Sequence, residues 1–329
     1  MCAVSVGSYV KTVATGIGPG SHPAASAWPR NDSGPDTVGS RHFSGLNGYC
    51  TRTAWQTVAV TLFDAAPSDA GVSAAPTTGP GPAQVKFVVA YDGTDFSGFA
   101  AQPGQPGVRT VGGVLAHAIG KVLRHDVKLA CAGRTDAGVH AWGQVASFAS
   151  EPGLDPWRLA AAVTSMLGPE VVIRSADLVD PQFDARHSAQ WRTYRYTILN
   201  RPAPDPFRDR FTWWVPEPLD LRALRLAADP FVGEHDFASF CRKGPEGSST
   251  TRRVLESHWV DEGDGVLRYE IRGNAFCWQL VRSVVGTLVE VGLGKRRPGD
   301  IMGILRAGDR DAAGQLAPPR GLCLWEVGY

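Results

Sequence analysis

The chain has 329 residues, 43% of them hydrophobic, with 33 basic against 32 acidic side chains and a formal charge of +1. That length allows two packed domains, each with its own core, while the near-balance of charge excludes capture of nucleic acid by global attraction and leaves only local basic clusters for it. No apolar run reaches the roughly 18 residues of a membrane span, and the six cysteines are scattered without a C-x-x-C pair, which argues against a zinc site or disulfide framework and for buried or free thiols in a reducing cytoplasm.

Residues 1–83 are rich in Gly, Pro, Ala, Ser and Thr and end in the run Pro76-Thr77-Thr78-Gly79-Pro80-Gly81-Pro82. Only Trp55 to Phe63 has apolar content there, too little for a core, so the segment is read as a disordered extension. Its first acid is Asp32, as in a basic targeting peptide, but the Gly and Pro content opposes an amphipathic helix; an over-extended start is the alternative.

From residue 84 onward the periodicities are clear. Val85 to Tyr91 alternates as a strand. Thr110 caps a helix whose apolar positions run from Val111 to Val122 at a 3.6 period. Val127 to Ala132 and Gln144 to Ala149 read as strands, Asp155-Pro156 opens a helix to about Leu167, and Val171 to Val179 is again a strand. The second half repeats the order. Arg192 to Leu199 is a strand with Tyr194, Tyr196 and Ile198 on one face, and Asp220 caps a helix with Leu221, Leu224, Ala227, Ala228 and Phe231 inward. Val254 to Val260 and Val266 to Arg272 form a hairpin across Gly263-Asp264-Gly265. Ala275 to Val291 is an apolar helix, Pro298 to Leu305 a short one, and Leu322 to Val327 the last strand. Two β-α-β-β-α-β units in tandem suggest an α+β chain of two ferredoxin-like or RRM-like domains, residues 84–190 and 191–329, with antiparallel sheets flanking an RNA-binding cleft; a sheet surface shared between the two is the variant of this arrangement.

The chemistry concentrates between Ala132 and Gln144. Gly133 and Gly138 allow sharp turns and close approach to a ligand. In an extended segment Arg134 and Asp136 point the same way, and an arginine beside an aspartate favours and orients the carboxylate. Such a group can serve as nucleophile, base or electrostatic stabiliser; the ordinary alternative is an Asx-turn with a surface ion pair.

Ala132-Gly133-Arg134-Thr135-Asp136-Ala137-Gly138-Val139-His140-Ala141, with Gly143-Gln144-Val145 and Phe148 after it, resembles the signature of the TruA family of tRNA pseudouridine synthases. The similarity runs through Tyr91-Asp92-Gly93-Thr94, Phe183-Asp184-Ala185-Arg186, Arg192-Thr193-Tyr194-Arg195-Tyr196, Asn274-Ala275-Phe276 and Pro319-Arg320-Gly321-Leu322-Cys323-Leu324. It implies isomerisation of uridines 38, 39 and 40 in the tRNA anticodon stem-loop by a cytoplasmic homodimer that needs no metal or cofactor. It makes Asp136 the catalytic carboxylate, with residues 84–190 carrying it and 191–329 completing the cleft. Arg134 is expected to pair with Asp136 and help displace the target base. Tyr194 is expected to stack on that base, with Tyr196 on the same cavity wall. Arg282, a charge on the most apolar helix, is expected to reach toward Asp136 or a phosphate, with a structural salt bridge as the alternative. The sequence departs from the family at Phe99-Ala100, where Trp-Gln is usual, at Thr164 in place of an asparagine, and at Trp278-Gln279 in place of frequent histidines.

An RNA substrate requires cations that track phosphates. Residues 182–210 hold six arginines (186, 192, 195, 201, 208, 210) against three acids (184, 205, 209). Arg242-Lys243, Arg252-Arg253 and Lys295-Arg296-Arg297 add short clusters. His235 is assigned to a helix-end cluster and His140 to local hydrogen bonding. The alternatives are a non-catalytic tandem RNA-binding protein, which would show aromatic pairs on its central strands, and a glycosidic-bond hydrolase, which would place a second acid near Asp136.

Overall fold

The computed structural model describes residues 83–100, 107–244 and 247–329. The expected N-terminal extension therefore lies outside the described residues, except Ala83, which opens β1 (Ala83–Tyr91). Val85, Phe87, Val89 and Tyr91 are all buried, as the period-2 pattern dictates. The Thr110 hydroxyl caps α1 (Val111–Leu123), accepting from the Gly113 amide at 3.2 Å. β2 (Ala130–Cys131) is much shorter than the expected strand from Val127 to Ala132. Val127 and Leu129 pack on the core without joining the ladder. β3 (His140–Ser150) pairs antiparallel with β1 along most of its length. α2 (Pro156–Leu167) starts where the Asp155 carboxylate takes the amides of Trp157 and Arg158, and β4 (Val171–Val179) closes the first half.

The second half begins with β5 (Trp191–Asn200) and the short parallel β6 (Trp213–Val215). α3 (Leu221–Ala228), capped by Asp220, gives way to a 3-10 turn over Asp229–Phe231. Pro230, having no N–H, ends the α-helical ladder before the expected Phe231. β7 (Gly233–Asp236) carries His235, so this residue sits on an edge strand and not at a helix end; its Nε2 lies 3.1 Å from the Val232 carbonyl. β8 (Thr251–Gly263) and β9 (Val266–Gly273) form the expected hairpin. α4 (Leu280–Gly292), α5 (Asp300–Ala307) and β10 (Leu322–Gly328) follow.

α4 starts at Leu280, five residues after the expected Ala275. Gln279 has φ 65, a left-handed conformation that interrupts the helix. Upstream, Phe276 is drawn aside to meet the Tyr194 ring edge-on at 5.0 Å, and Cys277 is drawn to Cys241. Those two cysteines form a disulfide with Cα atoms 5.8 Å apart, which corrects the expectation of buried or free thiols at these two positions; Cys131 and Cys323 are free, and Cys2 and Cys50 lie outside the described residues. Within α4 every residue except Arg282 and Glu290 is buried. Each of those two has a partner, Asp136 and Arg296 respectively.

In place of separate sheets there is one ten-stranded, mostly antiparallel sheet in the order β4-β1-β3-β10-β5-β9-β8-β7, with β2 on β3 and β6 on β5. The joint is β10. It runs antiparallel to β5 and meets β3 in parallel through Cys323 beside His140 and Leu324 beside Ala141. Because β2 is so short, it leaves the start of β3 with unpaired backbone, and β10 occupies that open edge. One continuous hydrophobic core follows, from Leu115, Ile119 and Val163 beneath the first half to Leu224, Val284 and Leu288 beneath the second.

Candidate active site

The loop from Ala132 to Val139 leaves β2 and re-enters the sheet at β3, and its shape is set from within. Gln144, fully buried on β3, brackets Gly133: its Nε2 donates to the Gly133 carbonyl at 2.6 Å and its Oε1 accepts from the Gly133 amide at 3.3 Å. A side chain thus continues the ladder where backbone pairing stops. Thr135 turns inward, its hydroxyl 2.8 Å from that of Tyr91. Arg134 and Asp136, on the opposite side of this extended run, are left facing outward. The Val139 amide donates to the Asp136 carbonyl at 3.2 Å, closing a turn through Gly138. The segment 93–99 clasps the loop from above, with Phe99 N to Thr135 O at 3.1 Å and Gly138 N to Phe96 O at 3.2 Å.

Arg282 Nη1 donates to Asp136 Oδ2 at 3.2 Å, and Arg282 Nε donates to the Ala317 carbonyl at 2.8 Å. The arginine side chain is 12% exposed and the aspartate 39%. One carboxylate oxygen is therefore held by Arg282, the other has no hydrogen-bond partner among the described residues, and Asp136 lines a small cavity of about 60 Å³. Asp136 is the only acid lining that cavity among the described residues, so the second carboxylate needed for a glycosidic-bond hydrolase is not beside it.

Arg134 makes no ion pair with Asp136; Arg282 occupies that place. Arg134 is exposed and lines both this cavity and an adjoining one of about 850 Å³. Tyr194 is 8% exposed and also lines both. Burial pushes its hydroxyl well above the ordinary tyrosine range, so it stays a neutral phenol at any working pH. Tyr196 does not share that wall as expected: it is fully buried, donating to the Pro318 carbonyl at 2.8 Å.

Folding consumes most of the arginine run at 182–210. Arg195 pairs with Glu270, Arg201 and Arg208 with Asp205 and Asp264, and Arg210 with Asp92 and Asp95. Arg192 is spent on backbone: its guanidinium donates to the carbonyls of Ala132, Arg186, Ala189 and Asn274 at 2.7–3.3 Å. Besides Arg192, the cations that line the larger cavity without a carboxylate partner among the described residues are Lys128, Arg134, Arg186 and Arg252. Of these, Lys128 belonged to none of the clusters read from sequence, because nothing local marks it.

His140 is buried and engaged locally. Its Nδ1 accepts from the Gly93 amide at 3.0 Å and its Nε2 faces the Arg320 carbonyl at 3.1 Å. Nδ1 also lies 3.2 Å from Asp92 Oδ1, which favours the charged ring, but burial outweighs this and pulls the pKa down. Gln144, Tyr91 and Arg192 were not singled out by sequence reasoning as parts of the site. Gln144 and Tyr91 stood in the quoted motifs, yet only the fold shows them supporting the loop. Among the described residues no group of three or more His, Cys, Asp or Glu is placed to hold a metal ion, and no helix is long and apolar enough to cross a membrane.

A family model described as tRNA pseudouridine synthase matches residues 87–188 and 227–329. A protein named tRNA pseudouridine synthase A from Brevibacillus brevis is 45% identical over 248 residues, covering 75% of this chain and 99% of its own length. A protein of the same name from Leifsonia xyli is 42% identical over 262 residues, covering 73% and 90% respectively, and one from Bacillus licheniformis is 39% identical over 248 residues, covering 75% and 99%. The matched segments contain the whole loop from Ala132 to Val139 together with Arg282 on α4 and the strand partners of Tyr194, Leu324 on β10 and Ile271 on β9. The chain belongs to the tRNA pseudouridine synthase family.

Proposed function

We propose that Asp136 is the carboxylate with which this chain turns uridine into pseudouridine at positions 38, 39 and 40 of the tRNA anticodon stem-loop. As a family member the chain is an isomerase acting on tRNA; the positions follow from the resemblance of its motifs. The observation that carries the residue assignment is the single acid of the small cavity, held on one oxygen by Arg282 and open on the other.

The reaction breaks the C1′–N1 bond, turns the base and forms C1′–C5, with C5 losing a proton and N1 gaining one, so nothing is oxidised or reduced. The free oxygen of Asp136 adds either to the base or at the sugar. Arg282 keeps the carboxylate aimed, and its partly buried position makes that contact count for more than a surface pair would. Tyr194, neutral and mostly buried at the cavity wall, offers a ring for the uracil to stack on and a hydroxyl to donate, not a base. Arg134, at the mouth shared by both cavities, occupies the gap that the extruded nucleotide leaves, offsetting part of an unstacking cost of a few kcal/mol. Lys128, Arg186 and Arg252 take phosphates.

We read the two halves, 84–190 and 191–329, as ferredoxin-like units. In support, the local strand order is β4-β1-β3-β2 in the first and β10-β5-β9-β8 in the second, and the family model matches in two segments. A homodimer in the cytoplasm, with RNA lying across both subunits, completes this reading.

The test is to incubate unmodified tRNA transcripts with the wild-type chain and with Asp136→Asn and to map pseudouridine. Product from the variant is expected to vanish while tRNA affinity stays within about three-fold, the signature of an interaction made in the transition state alone. Undiminished product from Asp136→Asn removes the assignment. Binding without product from the wild type would favour the non-catalytic alternative.

A further inference from the structure

Trp278 lies in the connector that separates β9 from α4 and is 50% exposed, a large apolar surface left in water. It lines both cavities: the small one with Asp136 and Arg282, and the larger one with Lys128, Arg186 and Arg252. Trp142, Trp157, Phe207 and Phe211, the other tryptophans and phenylalanines exposed to a similar or greater degree, line neither.

The backbone beneath the indole is fixed at every step. Asn274 exchanges hydrogen bonds with Arg253 in both directions, its amide donating to the Arg253 carbonyl at 3.0 Å and its Oδ1 accepting from the Arg253 amide at 3.1 Å. Its own carbonyl receives Arg192 Nη1 at 2.7 Å. Phe276 packs on Tyr194, Cys277 is bonded to Cys241, and the Trp278 carbonyl accepts from the Arg242 amide at 2.9 Å. An exposed indole on so constrained a segment loses little conformational freedom on meeting a partner.

We propose that Trp278 is a stacking platform for the nucleobase adjacent in the RNA strand to the uridine held at Asp136. The inference rests on the reading of Asp136 above and extends it to a second nucleotide. Three features select this occupant. The target uracil belongs at Tyr194 and Asp136, deeper than a half-exposed ring can follow. A base has a π-face that pairs with indole whatever its identity, and each such stack is worth about 1–3 kcal/mol. The neighbouring cations Lys128, Arg186 and Arg252 line the cavity into which that nucleotide's phosphates would run.

The experiment uses the full chain carrying Asp136→Asn, which leaves the RNA unmodified, and measures its affinity for an anticodon stem-loop RNA with uridine at position 39. Three RNAs are compared: intact, abasic on the 5′ side of that uridine, and abasic on its 3′ side. Adding Trp278→Ala is expected to weaken binding of the intact RNA about ten-fold, and Trp278→Phe less than about three-fold. On one of the abasic RNAs the alanine penalty should shrink below about two-fold, because the stacking partner is already gone. A structural role for Trp278 would lower affinity for all three RNAs alike, so an equal loss overturns the proposal. It is also overturned by a Trp278→Ala loss under three-fold on intact RNA, or by a Trp278→Phe chain that melts normally yet binds as poorly as Trp278→Ala. Absence of pseudouridine after treatment with the chain that retains Asp136 would instead sink the catalytic reading, and the binding comparison would stand by itself.

Discussion

Arg192 and Arg282 show how differently two neighbouring cations can be used. Arg282 has one buried contact to a carbonyl and gives the rest of its guanidinium to Asp136. Arg192, 9% exposed and without a carboxylate, ties four carbonyls from three separate segments together. Burial lowers its pKa, with partial relief from the Tyr194 and Tyr329 hydroxyls, but not enough to discharge a guanidinium. Arg192→Met should leave buried carbonyls unpaired at about 1–3 kcal/mol for each that water cannot reach. A loss of roughly 3 kcal/mol in stability is expected by denaturant titration, and wild-type stability in the variant would refute the clamp. Arg192→Lys should recover only part, since an ammonium has three donors and no planar fork. This role was invisible in the sequence. The arginine stood in the quoted motif, yet its partners are backbone oxygens, which carry no residue-type signal. Asp136 stood out for the opposite reason, lying in a ten-residue string of specific side chains. Arg282 was legible in outline, because an arginine on so apolar a helix must have a partner, while the pairing of Arg134 with Asp136 that the resemblance implied is not made.

At the scale of elements, the loop carrying Asp136 depends on a close approach by the segment above it. Gly98 has φ +90, and a Cβ there would stand 2.7 Å from the Thr135 carbonyl. Both the left-handed backbone and the missing side chain are needed, since the Phe99 amide must reach that same carbonyl. Gly98→Ala is expected to cost about 2 kcal/mol of stability and to lower kcat more than KM, because it displaces the support of Asp136 and not the cavity that receives the RNA. A crystal structure or hydrogen-exchange profile with the 132–139 loop unchanged, and full activity, would contradict this. The element boundaries set by side-chain capping were read correctly: Thr110, Asp155 and Asp220 each accept the amides they were expected to. Those set by tertiary pull were not. Nothing in Ala275 to Gln279 opposes a helix locally; Tyr194, Cys241 and Arg242, all distant in sequence, hold it out of one.

Over the whole molecule, buried titratable groups define a window of stability. Tyr91, Tyr194, Tyr196, Tyr269 and Tyr329 are all pushed upward by burial, Cys131 is pushed up to about 11 and Cys323 to about 12. Above the ordinary values of 9.0 for a thiol and 10.0 for a phenol, the unfolded chain sheds protons that the native one keeps, so stability falls as pH rises. His140 acts at the other end. Its pKa is lowered, so below the ordinary 6.5 the unfolded chain takes up a proton the native one resists, and stability falls with pH there too. Tm is expected to be highest near about pH 8 and lower at about pH 5.5 and about pH 10.5; a Tm still rising at the alkaline end would contradict the tyrosine burial. Most strands and helices were readable from periodicity, and a shared sheet surface was one expectation, but the pairing that joins the sheet was not readable. Pairing between β3 and β10 involves Cys323 and Leu324 against His140 and Ala141, far apart in the chain and unmarked by any pattern.

The position of β10 also bears on how the protein is made. Residues 83–179 can collapse as they emerge from the ribosome, since β1, β3 and β4 pair among themselves. Residues 322–328, the latest of the ten strands to be synthesised, stitch that early half to the later one. Arg282 is translated long before this, but its Nε anchor, the Ala317 carbonyl, emerges only just ahead of the stitching strand. A nascent chain therefore carries the aspartate without the architecture that aims it. On the proposed role of Asp136, ribosome-bound protein would be inactive until residues 317–328 have emerged.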